Sequence, residues 1–126
     1  MKKILPILAL LVSTLTAAEV VCTTIQSNIK KIRCKYMAIA QEVPREVTFN
    51  WASPDNPADN RSKTHKIPAG HVSVYDDRYF SGRSEGRWSI EVVETDKSKV
   101  STEYIKDSNA EVIRVRPEDP ILEKME

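Results

Sequence analysis

Beyond its first eighteen residues this chain has no long apolar run, no excess of either charge and almost no metal-ligating chemistry. Each shortage excludes something. A membrane-spanning helix needs about 20 apolar residues, so the body of the chain is expected to be soluble. Lys and Arg number 19 against 18 Asp and Glu. Nucleic-acid-binding domains are usually markedly basic, so no nucleic-acid partner is expected. His65 and His71 are the only histidines, and their spacing fits neither a helical His-x-x-x-His pair nor a Cys/His finger. No metal and no other cofactor is expected. No window carries a long, capped 3.6-residue apolar period, which leaves helix a minor element at most.

What is present begins at the N-terminus. Lys2 and Lys3 precede an apolar run from Ile4 to Val12, broken only by Pro6, and then Thr14-Leu15-Thr16-Ala17-Ala18, which places the small residues Thr16 and Ala18 at the cut. That order is the pattern of a secretory signal, with cleavage expected after Ala18. Removing 18 of 126 residues leaves 108, and losing two lysines leaves 17 basic against 18 acidic residues, a net charge of about −1. One domain with one modest core fits that length. The expected organisation is a signal at 1–18, a domain at 19–116 and a flexible tail at 117–126. The short, basic-start signal points to a bacterial source and a periplasmic or secreted destination. In that setting the bare triplet Asn60-Arg61-Ser62 carries no glycosylation meaning.

Cys22 and Cys34 are the only cysteines. An oxidising compartment pairs them, and a bridge closing so short a loop stabilises by about 3 kcal/mol in the chain-entropy description. Lipidation of Cys22 is the competing use, but Glu19-Val20-Val21 precedes it where small and Leu-like residues are wanted. The midpoint of the pair falls at residue 28, inside a Ser27-Asn28 turn, so the two cysteines can face each other across a hairpin.

The remainder reads in twos. Val47, Phe49 and Trp51 alternate with polar residues, as do Val72 and Val74, and Trp88, Ile90 and Val92. Such patterns mark half-buried strands. Further strands are expected at 19–26, 31–40, 99–106 and 110–116, separated by turn signals such as Pro68-Ala69-Gly70 and Asp96-Lys97-Ser98. About seven short strands predict an all-β fold, an immunoglobulin-like antiparallel β-sandwich, with a small barrel as the alternative. The polar stretch 53–66 reads as a long surface loop.

Motif matches are weak. Ser27-Asn28-Ile29-Lys30 has the Ser-x-x-Lys pattern of penicillin-recognising enzymes but falls in a predicted turn of a chain too short for that fold. Gly82-Arg83-Ser84-Glu85-Gly86 lacks the Lys-Ser/Thr ending of a phosphate loop, and its glycines fit a tight turn before a strand. The candidate binding constellation is cationic and aromatic: Arg78, Tyr79, Arg83 and Arg87, with His71 and Tyr75 across the fold. Arg83 and Arg87 flank the Gly82–Gly86 turn and are expected on one rim, where guanidinium forks suit carboxylates and phosphates.

Phe49-Asn50-Trp51, His71 to Tyr75, Arg78-Tyr79-Phe80-Ser81-Gly82-Arg83 and Gly86-Arg87-Trp88-Ser89-Ile90-Glu91-Val92 follow in an order that resembles a family of exported bacterial domains of unknown function. The resemblance spans about residues 19 to 106 and departs at Asn50, where the family pattern has His. It implies a sandwich and export, and it carries no activity or catalytic residues.

The sequence therefore predicts a non-catalytic exported binding module whose Arg/Tyr rim recognises a protein or an anionic cell-envelope polymer. The alternatives are an accessory or inhibitory subunit that pairs through an edge strand, and a small hydrolase using His65 or His71 with Asp76 or Asp77.

Overall fold

A computed structural model describes residues 18–107 and 109–115. The expected leader up to residue 17 and the tail 117–126 lie outside the described residues. Seven strands follow in order: β1 (Glu19–Ile25), β2 (Lys31–Met37), β3 (Arg45–Ala52), β4 (Arg61–Ile67), β5 (Ser73–Tyr79), β6 (Gly86–Glu94) and β7 (Lys99–Lys106). One 3₁₀ turn, Pro57–Asp59, lies between β3 and β4. All pairings are antiparallel and form two sheets, β1-β2-β5 and β4-β3-β6-β7. The fold is an immunoglobulin-like β-sandwich in which the fourth strand has joined the sheet of the third.

Alternation builds the core. From the three-stranded sheet Val20, Cys22, Ile32, Cys34 and Tyr36 point inward, and from the four-stranded sheet Val47, Phe49, Trp51, Trp88, Ile90, Val92 and Tyr104 meet them. Trp88 stacks on Tyr104 at 6.0 Å between ring centroids, and Trp51 meets Tyr104 edge-on at 6.5 Å. Each large aromatic removes apolar area from water and supplies about 3–5 kcal/mol that truncation to alanine would lose.

Cys22 and Cys34 are directly opposite in the β1–β2 register and form a disulfide. Both are buried, so the bridge staples a hairpin from inside the sandwich. The two Cα atoms lie 4.0 Å apart. At the other end of the chain of strands, Gly86 opens β6 with φ +123°, and a Cβ there would meet Pro54 Cγ at 3.1 Å. Both the backbone angle and the lack of room require glycine.

Two expectations need correction. The stretch 53–66 is not a continuous loop, because Arg61–Ile67 forms an edge strand. Its interior-facing positions include Arg61 and His65 rather than aliphatics, so no apolar alternation announced it. The segment 110–116 is not a strand: its described part holds only isolated bridge residues, Ala110 and Arg114, the latter opposite Ile105. Its buried residues, Ala110 and Ile113, are three apart instead of two. Ile113 enters the core while its amide donates to Thr24 Oγ1 at 3.0 Å.

Candidate functional site

The sheets meet on one side between their edge strands β4 and β5, and the interior there is ionic. Asp76 of β5 is 3% exposed and accepts from three donors. Trp51 Nε1 lies 2.8 Å from Oδ2, while Arg61 Nη2 at 2.8 Å and His65 Nε2 at 2.9 Å share Oδ1. The carboxylate therefore ties β5 to β3 and β4 of the opposite sheet. His65 and Asp76 are the histidine–carboxylate pair that a hydrolase reading requires. Among the described residues no hydroxyl or thiol is hydrogen-bonded to that imidazole, and the carboxylate is shared with an indole and a guanidinium.

A second cluster lies toward the end of β5. Arg78 donates from Nη1 to the Asp59 carbonyl at 2.8 Å and from Nη2 to the Asp59 carboxylate at 3.2 Å. Its guanidinium sits 5.5 Å from the Trp51 ring centroid and 5.7 Å from that of Trp88. Arg83 Nε approaches the same carboxylate at 3.3 Å, and the Ser84 amide donates to its other oxygen at 2.9 Å. Burial, and then the charge of Arg83, lower the pKa of Arg78, while Asp59 opposes the shift. Asp59 thus joins the 3₁₀ turn, β5 and the β5–β6 turn. At the far end of the sandwich the Tyr36 hydroxyl donates to Glu94, whose carboxylate also meets Arg45 Nε at 3.3 Å. Burial, and then that hydrogen bond, raise the pKa of Tyr36.

The residues singled out in the sequence divide. Arg78, Tyr79 and Arg83 do come together, lining a shallow pocket of about 320 Å³ with Lys31, Arg61 and Asp77. Arg87 does not join them: it lies on the outer face of β6, paired with Glu103 at 3.0 Å. The Gly82–Gly86 turn sends Arg83 inward to Asp59 and leaves Arg87 outward, so the two do not share a rim. His71 sits in the β4–β5 turn at the opposite end of β5 from Tyr79. Tyr75 and Tyr79 are both exposed and share the outer face of β5.

That outer face holds what the sequence reading missed. Lys31, Arg33 and Lys35 stand in a row on β2, the middle strand, opposite Tyr79, Asp77 and Tyr75 respectively. Arg33 makes a two-pronged contact with Asp77, at 2.9 and 3.0 Å, and its guanidinium stacks 3.7 Å from the Tyr75 ring centroid. Val21, Thr23 and Ile25 of β1 complete the surface. Lys31 also lines the arginine pocket, which makes face and pocket continuous. The outer face of the other sheet is different, a polar ladder in which Thr48 meets Thr64 at 2.9 Å and Ser62 donates to Asn50 at 2.5 Å. The signal was available: Lys31-Ile32-Arg33-Cys34-Lys35-Tyr36 alternates cation with core residue, which places three cations on one face of a strand.

Compared with known proteins, the chain matches no family model and no curated protein. Among the described residues no helix is long and apolar enough to cross a membrane, and no group of three His, Cys, Asp or Glu converges. The site must be read from its own geometry.

Proposed function

We propose that this protein is an exported, non-catalytic binding module for an anionic cell-envelope polymer, of the acidic-polysaccharide class. The observation that carries the reading is the row Lys31, Arg33, Lys35 flanked by the exposed Tyr75 and Tyr79 on one outward sheet face. Arg33 on this face is paired with Asp77 and Glu19 stands at the far end, so Lys31 and Lys35 are the cations that would meet a ligand. Alternate residues of a strand are about 6.8 Å apart, which suits carboxylates repeating along a chain better than a single anion. Lysine and arginine recognise carboxylates through charge-assisted hydrogen bonds. Tyrosine rings supply flat amphipathic area beside them.

The disulfide agrees with an oxidising compartment. A periplasmic or secreted location, a cleaved leader, and membership of the exported bacterial family that the sequence resembles all belong to this same reading. Binding isotherms of the chain with polygalacturonate, and with neutral dextran as comparison, test it. Saturable binding to the polyuronate that weakens with added salt supports the reading. Equal affinity for dextran, or none for the polyuronate, removes it.

One observation favours a second reading, an accessory subunit that pairs by strand addition. β1 is an edge strand of seven residues without proline, and its interior-facing Val20, Cys22 and Thr24 carry no charge. Such an edge is a template for another chain. A crosslink from Val21 to a partner's strand would favour it.

A further inference from the structure

We infer that the cavity at the β1–β2 turn is a second binding site, for a small organic monocarboxylate with an apolar body. The cavity, of about 520 Å³, is lined by Ile29, Lys30, Tyr79, Phe80, Ser81, Lys106 and Ala110. That volume lies within the range of small-molecule sites.

Two ammonium groups flank one phenyl ring in it. Lys30 Nζ is 4.5 Å and Lys106 Nζ 4.7 Å from the Phe80 centroid. They are not equivalent. Lys30 is anchored by Glu111, donating to its carbonyl at 2.8 Å and to its carboxylate at 3.2 Å. Lys106, the last residue of β7, faces inward and is 8% exposed. Among the described residues it has neither a hydrogen-bond acceptor nor an ion-pair partner, only the ring of Phe80.

Burying a cation without a partner is costly. Here its pKa is lowered by burial, with Glu85 acting in the opposite sense and Arg83 and Lys30 adding to the lowering. A lysine held in this way against a cavity is a cation awaiting its anion. Of the two lysines that line the cavity, Lys30 is already paired with Glu111, so a single carboxylate would serve Lys106. The ring of Phe80 and the side chains of Ile29 and Ala110 would pack the apolar remainder of the ligand, and Ser81 can donate to the second carboxylate oxygen. This site adjoins the polymer-binding face and shares Tyr79 with it, but its two lysines belong to neither that face nor its arginine pocket.

Calorimetric titration of the chain with hexanoate, hexan-1-ol and hexylammonium tests the assignment. Saturable 1:1 binding of hexanoate is expected, with the alcohol and the amine weaker by about tenfold or more. Lys106→Met should weaken hexanoate by a similar factor while cooperative thermal unfolding is retained. Amide shifts in the native chain give a readout independent of any variant's folding: hexanoate should move Ile29, Phe80, Ser81 and Ala110. No hexanoate binding, equal binding of the amine, equal binding by Lys106→Met, or shifts confined to other residues would each overturn the assignment.

Discussion

Arg78 of one sheet holds Asp59 of the 3₁₀ turn by two atoms at once, its carbonyl at 2.8 Å and its carboxylate at 3.2 Å, between the rings of Trp51 and Trp88. This contact joins the sandwich layers where hydrophobic packing is interrupted by charge. It also fixes the arginine pocket below the exposed face, because Arg83 and Ser84 converge on the same carboxylate.

Asp59→Ala leaves Arg78 and Arg83 without their shared anion and should lower the unfolding free energy by about 3 kcal/mol. Arg78→Met introduced into that variant should recover part of the loss, since the stranded charge goes with it. Urea denaturation of both variants measures the coupling. A change within about 0.5 kcal/mol for Asp59→Ala, the range of an ordinary surface substitution, would mean that the cluster does not stabilise the fold.

Reducing the Cys22–Cys34 bridge, or replacing both cysteines by alanine, should cost about 3 kcal/mol if the effect is mainly loop closure in the unfolded chain. The urea midpoint with and without reductant reports it. The native strand pairing should survive, because the flanking pairs from Val20–Tyr36 to Thr24–Ile32 remain. Collapse of the sandwich on reduction would contradict the view of the bridge as a staple on a formed hairpin.

Alkaline pH should destabilise the protein. Tyr36 and Tyr104 are buried, and burial is the first cause raising both phenols above their usual value. Below about pH 10 folded and unfolded chains both keep these protons. Above it the unfolded chain releases them while the folded chain retains them, so stability falls by about 1.4 kcal/mol per pH unit for each tyrosine. Lys106 acts in the opposite sense, because its folded pKa is lowered, but that gain is complete near pH 10.5, the ordinary lysine value. Unfolding free energies at pH 9, 10 and 11 should therefore decline most steeply at the top of this range. Tyr36→Phe should shallow the slope.

The fold was legible wherever the interior is apolar. Val47, Phe49, Trp51, Trp88, Ile90 and Val92 announced β3 and β6 by period two, and the cysteine midpoint located the first hairpin. Reading failed where the interior is ionic. Arg61 and His65 face inward because Asp76 waits for them across the sheets, and a polar strand of that kind looks like a loop until its partner is known. The proposed binding face was missed for another reason. Arg78 and Arg83 stand out in the sequence as cations, yet both are committed to Asp59, whereas Lys31 and Lys35, on either side of the Asp77-paired Arg33, are hidden inside strand β2.

The most direct test is charge reversal on each face of the sandwich, read by calorimetry against polygalacturonate. Lys31→Glu, Arg33→Glu and Lys35→Glu together should weaken binding by about 100-fold or more, as expected when several charge-assisted contacts are lost. Lys66→Glu, Arg87→Glu and Lys99→Glu make the same net change on the outer face of the other sheet and should leave affinity within about threefold, screened at physiological salt. Equal losses from the two triple variants would show that overall charge alone attracts the polymer. No loss from the first would contradict the assignment of the β1-β2-β5 face as the binding surface.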